Sequence, residues 1–142
     1  MRYLTIEDIL IIAETHVDNH QILHKDQLDY LVEAVSAKFG DTELYPTPFQ
    51  KAAVYAHHII TGHIFLDGNK RIGLTCALRF LELNGYSRRL DLDDSIIELG
   101  LKIADGSITD IDTIAERIQS WMLGFMKIAI RRPSLPGKIA EL

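Results

Sequence analysis

Apolar positions recur at helical spacing through almost the whole chain. Ile6, Ile9, Leu10, Ala13 and Val17 mark a first helix, and Thr5 with Asp8 three residues on predicts a capping box at its start. A second run, Leu28, Leu31, Val32, Val35 and Phe39, is predicted to end at Gly40. Thr47-Pro48 supplies a cap and a first-turn proline for a third helix through Phe49, Ala52, Ala53, Ala56, Ile59 and Ile60, stopping near Gly62. A fourth starts around Asn69 and runs through Ile72, Cys76, Ala77, Phe80 and Leu81 to Asn84-Gly85. Asp93 is expected to cap a fifth, carrying Ile96, Ile97, Gly100, Leu101 and Ala104 and closed by Gly106. Thr109 with Asp112 reads as a second capping box, opening a sixth helix that continues through Trp121, Met122 and Phe125 to Arg131-Arg132-Pro133. No segment alternates like a core strand, although Arg88 to Leu92 reads as a short extended piece. The pattern predicts one all-α domain of about six helices, without repeats or internal linkers.

Composition narrows the function classes. The chain has 142 residues, 47% hydrophobic, enough for one sizeable core. Its net charge of −5 sets it against disorder and against bulk nucleic-acid binding, which needs a strongly basic surface. Apolar runs such as Ile9 to Ala13 fall far short of the roughly 20 residues of a membrane span. Glu7 and Asp8 at the N-terminus are wrong for a secretory signal, and a lone Cys76 builds neither a disulfide nor a cysteine zinc site. The expectation is a cytoplasmic protein with no direct nucleic-acid or membrane partner.

Against that background, the segment His63-Ile64-Phe65-Leu66-Asp67-Gly68-Asn69-Lys70-Arg71 stands out, with six polar or glycine residues in nine positions ahead of the fourth helix. Glycine before a helix lets a ligand approach the backbone, and the free N–H groups of a first turn bind anions. Lys70 and Arg71 fall in that same turn, where the helix dipole disfavours cations unless an anion lies between. Asp67 beside a bound phosphate calls for an intervening cation, and Mg²⁺ suits one carboxylate plus phosphate oxygens. His63 is placed to accept a proton, Asn69 to donate hydrogen bonds to phosphate, and Phe65 to anchor the loop in the core. Each residue alone is ordinary loop chemistry; together they are the parts of a phosphoryl- or nucleotidyl-transfer site.

The same residues resemble the Fic/Doc family, whose motif reads His-x-Phe-x-Asp/Glu-Gly-Asn-Lys/Gly-Arg. His63, Phe65, Asp67, Gly68, Asn69 and Arg71 match it without a gap, and Ile64 with Lys70 is similar to the Doc branch of death-on-curing toxins. Lys25-Asp26 ahead of Leu31-Val32-Glu33-Ala34, the alanine-rich helix before His63, and Phe80 to Tyr86 extend the likeness to roughly residues 3–123. It implies a Fic/Doc helical bundle over residues 1–132, with a short hairpin flap near His20 to Asp26 and a tail over 133–142. It also implies His63 as general base, Asp67 as the Mg²⁺ ligand, Gly68 and Asn69 in an anion hole, and Lys70 and Arg71 neutralising phosphate.

AMP-transferring members of the family carry a second arginine three positions after the first; here that position is Leu74. The resemblance therefore implies kinase-type transfer of the γ-phosphate of ATP to a Ser or Thr hydroxyl of a translation factor, with elongation factor Tu the leading candidate. Gly68 matches the glycine of the AMP-transferring motif, so AMP transfer is the alternative. No Ser/Thr-x-x-x-Glu-Gly/Asn self-inhibitory element is present, which points to a separate antitoxin. A non-enzymatic nucleotide- or partner-binding module is a third reading, against which the intact motif argues. Outside the motif, His16, His20 and His24 would share a face and could hold zinc only if the first helix continued past Asn19. Trp121, Met122, Phe125 and Met126 read as packing residues at the edge of the core.

Overall fold

The structure, a computed structural model, describes residues 1–125. Six helices dominate it: α1 (Ile6–His16), α2 (Lys25–Ala34), α3 (Pro48–Thr61), α4 (Asn69–Leu83), α5 (Asp93–Ala104) and α6 (Ile111–Ser120). Two small antiparallel pairs join them, β1 (Lys38–Phe39) with β2 (Thr42–Glu43) and β3 (Tyr86–Arg88) with β4 (Met122–Phe125). Among the described residues no helix is long and apolar enough to cross a membrane.

The core forms around α3, which packs against α4 and α6 and is flanked by α2 and α5. Its start is fixed as expected: Thr47 Oγ1 accepts from Gln50 N and the Gln50 side chain accepts from Thr47 N, with Pro48 in the first turn. Ala52, Ala53 and Ala56 keep the helix slim, and Gly73 lets α4 come so near that a Cβ there would lie 3.1 Å from Ala56 O. Thr5 and Asp8 close the predicted capping box on α1. Ile9, Ala13, Leu28, Leu31, Tyr55, Phe80, Leu81, Ile114 and Ile118 fill the space between helices.

Five local expectations are corrected. The second helix ends at Ala34 rather than near Gly40, because Gly40, at φ 64°, turns a hairpin between β1 and β2 and leaves Phe39 exposed. Asp93 lies in the first turn of α5, with Leu92 at the cap position. Asp110, not Thr109, caps α6, accepting from both the backbone and hydroxyl of Thr113. The sixth helix stops at Ser120 because Met122–Phe125 pairs with β3, and the extended piece expected at Arg88 to Leu92 lies instead at Tyr86–Arg88. Trp121 and Met122 are buried, as expected of packing residues. Met126, Arg131-Arg132-Pro133 and the tail 133–142 lie outside the described residues.

Two histidines sit half-buried on α3. His57 Nδ1 is enclosed without a partner among the described residues, and His58 stacks on Tyr30 while its Nδ1 lies 3.1 Å from Val54 O. Desolvation holds the His57 pKa below 6.5; for His58 desolvation leads, His57 adds to it, and the Val54 carbonyl opposes both. The unfolded chain therefore binds protons that the folded one refuses. Stability should be level above about pH 6.5, the unperturbed histidine value, and fall as the pH drops below it towards the depressed folded values. Melting curves at pH 7.5 and 5.5 check this. The wild type should melt lower at pH 5.5, and His57→Leu should narrow the gap; equal melting temperatures would speak against it.

Candidate active site

The loop that carries the chemistry is braced from two sides. Leu23 N and His24 N both donate to Ile64 O, at 2.7 and 3.2 Å, and Leu66 N donates to Gln21 O at 2.8 Å. A single antiparallel bridge, Ile22 with Phe65, completes this backbone clamp. The segment expected as a flap near His20 to Asp26 thus lies against the motif loop as an extended piece with a single bridge, and the β1–β2 hairpin lies further along the chain. From the other side Asn69 reaches back, accepting from Phe65 N at 3.0 Å and donating to Phe65 O at 2.8 Å. Phe65 is buried, anchoring the loop as predicted.

Asn69 is thereby committed largely to holding the loop. Among the described residues its side chain bonds Phe65 rather than facing the cleft, and its phosphate-binding capacity resides in its backbone N–H and the second amide proton. Asp67 Oδ1 accepts from Gly68 N at 2.8 Å, so that N–H is taken as well. Ile72 N donates to Gly68 O, which closes the first intrahelical bond of α4. The N–H groups of Asn69, Lys70 and Arg71 are left without intrahelical acceptors at the positive end of the helix, an arrangement able to bind an anion.

Asp67, Gly68, Lys70 and Arg71 converge on a cleft of about 750 Å³. Its second wall is the chain leaving α1, His16 to Asn19, and its third is α5, with Ile96, Ile97, Gly100 and Leu101; Leu74 forms part of its lining. Arg71 Nη1 donates to His16 O at 3.2 Å. The guanidinium at the positive end of α4 therefore also sits at the negative end of α1, which offsets part of the dipole penalty inferred from sequence. Lys70 has no such partner among the described residues, and neither cation of the cleft has an ion pair there. Asp67 is exposed in the same cleft with one carboxylate oxygen not engaged by Gly68, a hard oxygen donor that fits a magnesium ion beside phosphate.

His63 is exposed, in the left-handed region at φ 47°, and outside the lining of the cleft. The braced loop carries it at the surface, four residues ahead of Asp67, where a proton acceptor is open to a hydroxyl on a large molecule. His16, His20 and His24 do not share a helix face, because α1 ends at His16. Among the described residues no group of three His, Cys, Asp or Glu could hold a metal ion.

Two parts of the site escaped the sequence reading. The linker Val17 to Asn19 looked like a helix end, and Ile97 and Leu101 looked like core positions, yet they are 60% and 52% exposed. The core face of α5 is Leu99, Gly100 and Ile103. An apolar stripe wider than one buried face was the available signal.

Gly68 is constrained twice. Its φ is 76°, and a Cβ there would lie 2.4 Å from Val17 Cγ2. Gly68→Ala should cost about 2–4 kcal/mol from left-handed strain and overpacking together. Denaturant unfolding measures it, and adding Val17→Ala should recover the steric share but not the strain. A Gly68→Ala protein as stable as wild type would contradict this packing.

The Fic/DOC family profile matches residues 3–81. Toxin Doc of Mycolicibacterium smegmatis is 29% identical over 118 residues, covering 82% of this chain and 90% of that protein. Protein kinase doc of Escherichia phage P1 is 26% identical over 125 residues, covering 84% of this chain and 94% of that protein.

Proposed function

Because the chain belongs to the Fic/DOC family, in its Doc branch, we propose that it is a protein-modifying toxin that transfers the γ-phosphate of ATP to a Ser or Thr hydroxyl. The proposed target is a translation factor, elongation factor Tu the leading candidate, and a cognate antitoxin restrains the toxin. The observation that carries this reading is the convergence of Asp67, Lys70, Arg71 and the α4 N-terminus on one cleft, with His63 exposed on the same loop.

The N–H groups of Asn69, Lys70 and Arg71 hold phosphate oxygens, and the Lys70 and Arg71 side chains neutralise their charge. Asp67 would hold Mg²⁺, which would supply charge neutralisation on the phosphates. His63 takes the proton from the incoming hydroxyl, whose oxygen forms the new bond to the γ-phosphorus as the bond from that phosphorus to the leaving ADP breaks. Asn69 keeps the loop, and so His63, in place.

Leu74 favours phosphate over AMP transfer. It stands where a second arginine clamps the γ-phosphate in AMP-transferring members, and it is a buried apolar residue bordering the cleft. Gly68 supports the alternative, AMP transfer, since it matches that form of the motif. Incubating the protein with Mg-ATP and purified elongation factor Tu, labelled in parallel at the α- or γ-phosphate, separates the readings. Label from γ alone is the expected result. Label from α establishes AMP transfer, and no label dependent on His63 leaves a non-enzymatic binding module.

A further inference from the structure

The two walls of the cleft differ in kind. The linker wall abuts the anion site: Val17 touches Gly68 and Arg71 bonds His16 O. The opposite wall is α5, drawn close to α4 at Gly100, where a Cβ would lie 3.2 Å from Leu74 Cδ1 and 3.3 Å from Lys70 Cβ. Beyond that contact α5 offers the cleft only aliphatic side chains. Ile97 and Leu101, four residues apart on one helix face, stay 60% and 52% exposed. Of the charges of α5, Glu98 pairs with Lys102 at 3.0 Å and with Arg117 of α6 at 4.0 Å, and the first-turn Asp93 and Asp94 lie outside the lining of the cleft. Its mid-helix backbone groups are consumed by the helix itself.

We propose that Ile97 and Leu101 form the seat for the base of a nucleoside triphosphate whose phosphates lie at Lys70 and Arg71, and that this seat accepts purines and pyrimidines alike. The proposal rests on the phosphate reading given above and adds the breadth of the nucleotide class. Cationic side chains and free N–H groups on one side of the cleft and aliphatic surface on another suit a ligand with an anionic tail and a flat apolar body. Telling one base from another requires hydrogen bonds to its polar edge, and sites that make them discriminate by about 10⁴–10⁵-fold. An aliphatic wall gains from contact area alone and is indifferent to the pattern of donors and acceptors.

Titration calorimetry with Mg²⁺ and ATP, GTP, CTP, UTP or tripolyphosphate tests it. The four nucleotides should bind within about tenfold of one another and at least tenfold tighter than tripolyphosphate, the gap an apolar contact supplies. Ile97→Asn, with Ile97→Ala as the milder variant should the first misfold, should weaken all four nucleotides together and leave tripolyphosphate unchanged. A single base preferred by more than tenfold overturns the proposal, as does a nucleotide affinity that ignores both variants. If tripolyphosphate binds and no nucleotide binds better, the base seat is wrong while the phosphate site stands. If tripolyphosphate and nucleotides alike fail to bind, the phosphate reading itself falls.

Discussion

Replacing His63 with asparagine is expected to lower the rate of transfer by about 10²–10⁴-fold, the contribution of a positioned general base. The fold should not notice. His63 is exposed, and among the described residues its ring has no hydrogen-bond partner, so the change falls within the roughly ±0.5 kcal/mol of ordinary surface substitutions. Asparagine is the informative replacement because the residue sits at φ 47°, a region that asparagine tolerates better than alanine. Single-turnover transfer of labelled phosphate, beside a thermal melt, reads both quantities. Undiminished transfer would remove His63 from the mechanism. A lost melting transition would mean that the loop depends on its imidazole for more than chemistry.

A stability effect of similar size to that of Gly68→Ala is expected at a pair outside the lining of the cleft. Lys51 on α3 is 1% exposed, and its ammonium meets Glu43 Oε1 at 3.0 Å, Val35 O at 3.4 Å and the face of Tyr3 at 5.5 Å. The pair ties the β1–β2 hairpin to the central helix and takes up a carbonyl at the end of α2. Glu43→Ala leaves a buried charge without its counter-ion, which costs about 3 kcal/mol, the low end of such losses because Glu43 is partly open to water. That corresponds to roughly 10 °C in melting temperature for a domain of this size. Lys51→Met combined with Glu43→Gln should recover most of it, since an apolar replacement of the whole pair removes the desolvation penalty with the attraction. If Glu43→Ala melts with the wild type, the pair contributes nothing measurable.

The helices were legible because their signals are local: capping residues at Thr5 and Thr47, a helical apolar period, and glycines at the ends. The β1–β2 hairpin was hidden because Val35 and Phe39 continue the helical spacing of α2, and strands of two residues are too short to show alternation. Lys51 was invisible for the same reason, as its partner Glu43 belongs to that hairpin. β4 depends on a partner more than thirty residues upstream, which no local pattern reports. In the site, residue types announced the chemistry but not its division of labour. Asn69 carries the donors a phosphate needs, and only its place opposite Phe65 shows that they brace the loop. Arg71 looked opposed to a dipole until α1 ended beside it.

The surface position of His63 sets a kinetic problem that the protein does not solve alone. No element among the described residues closes over the imidazole, so solvent reaches it as readily as an incoming hydroxyl. On the proposed mechanism water is then a competing acceptor, and wasteful nucleotide hydrolysis is held back only by how well water is positioned. The target, by covering His63, expels that competitor and supplies the aligned oxygen in one event. Selectivity for a protein over water therefore resides in the docked pair, with the substrate acting as the lid of its own modification.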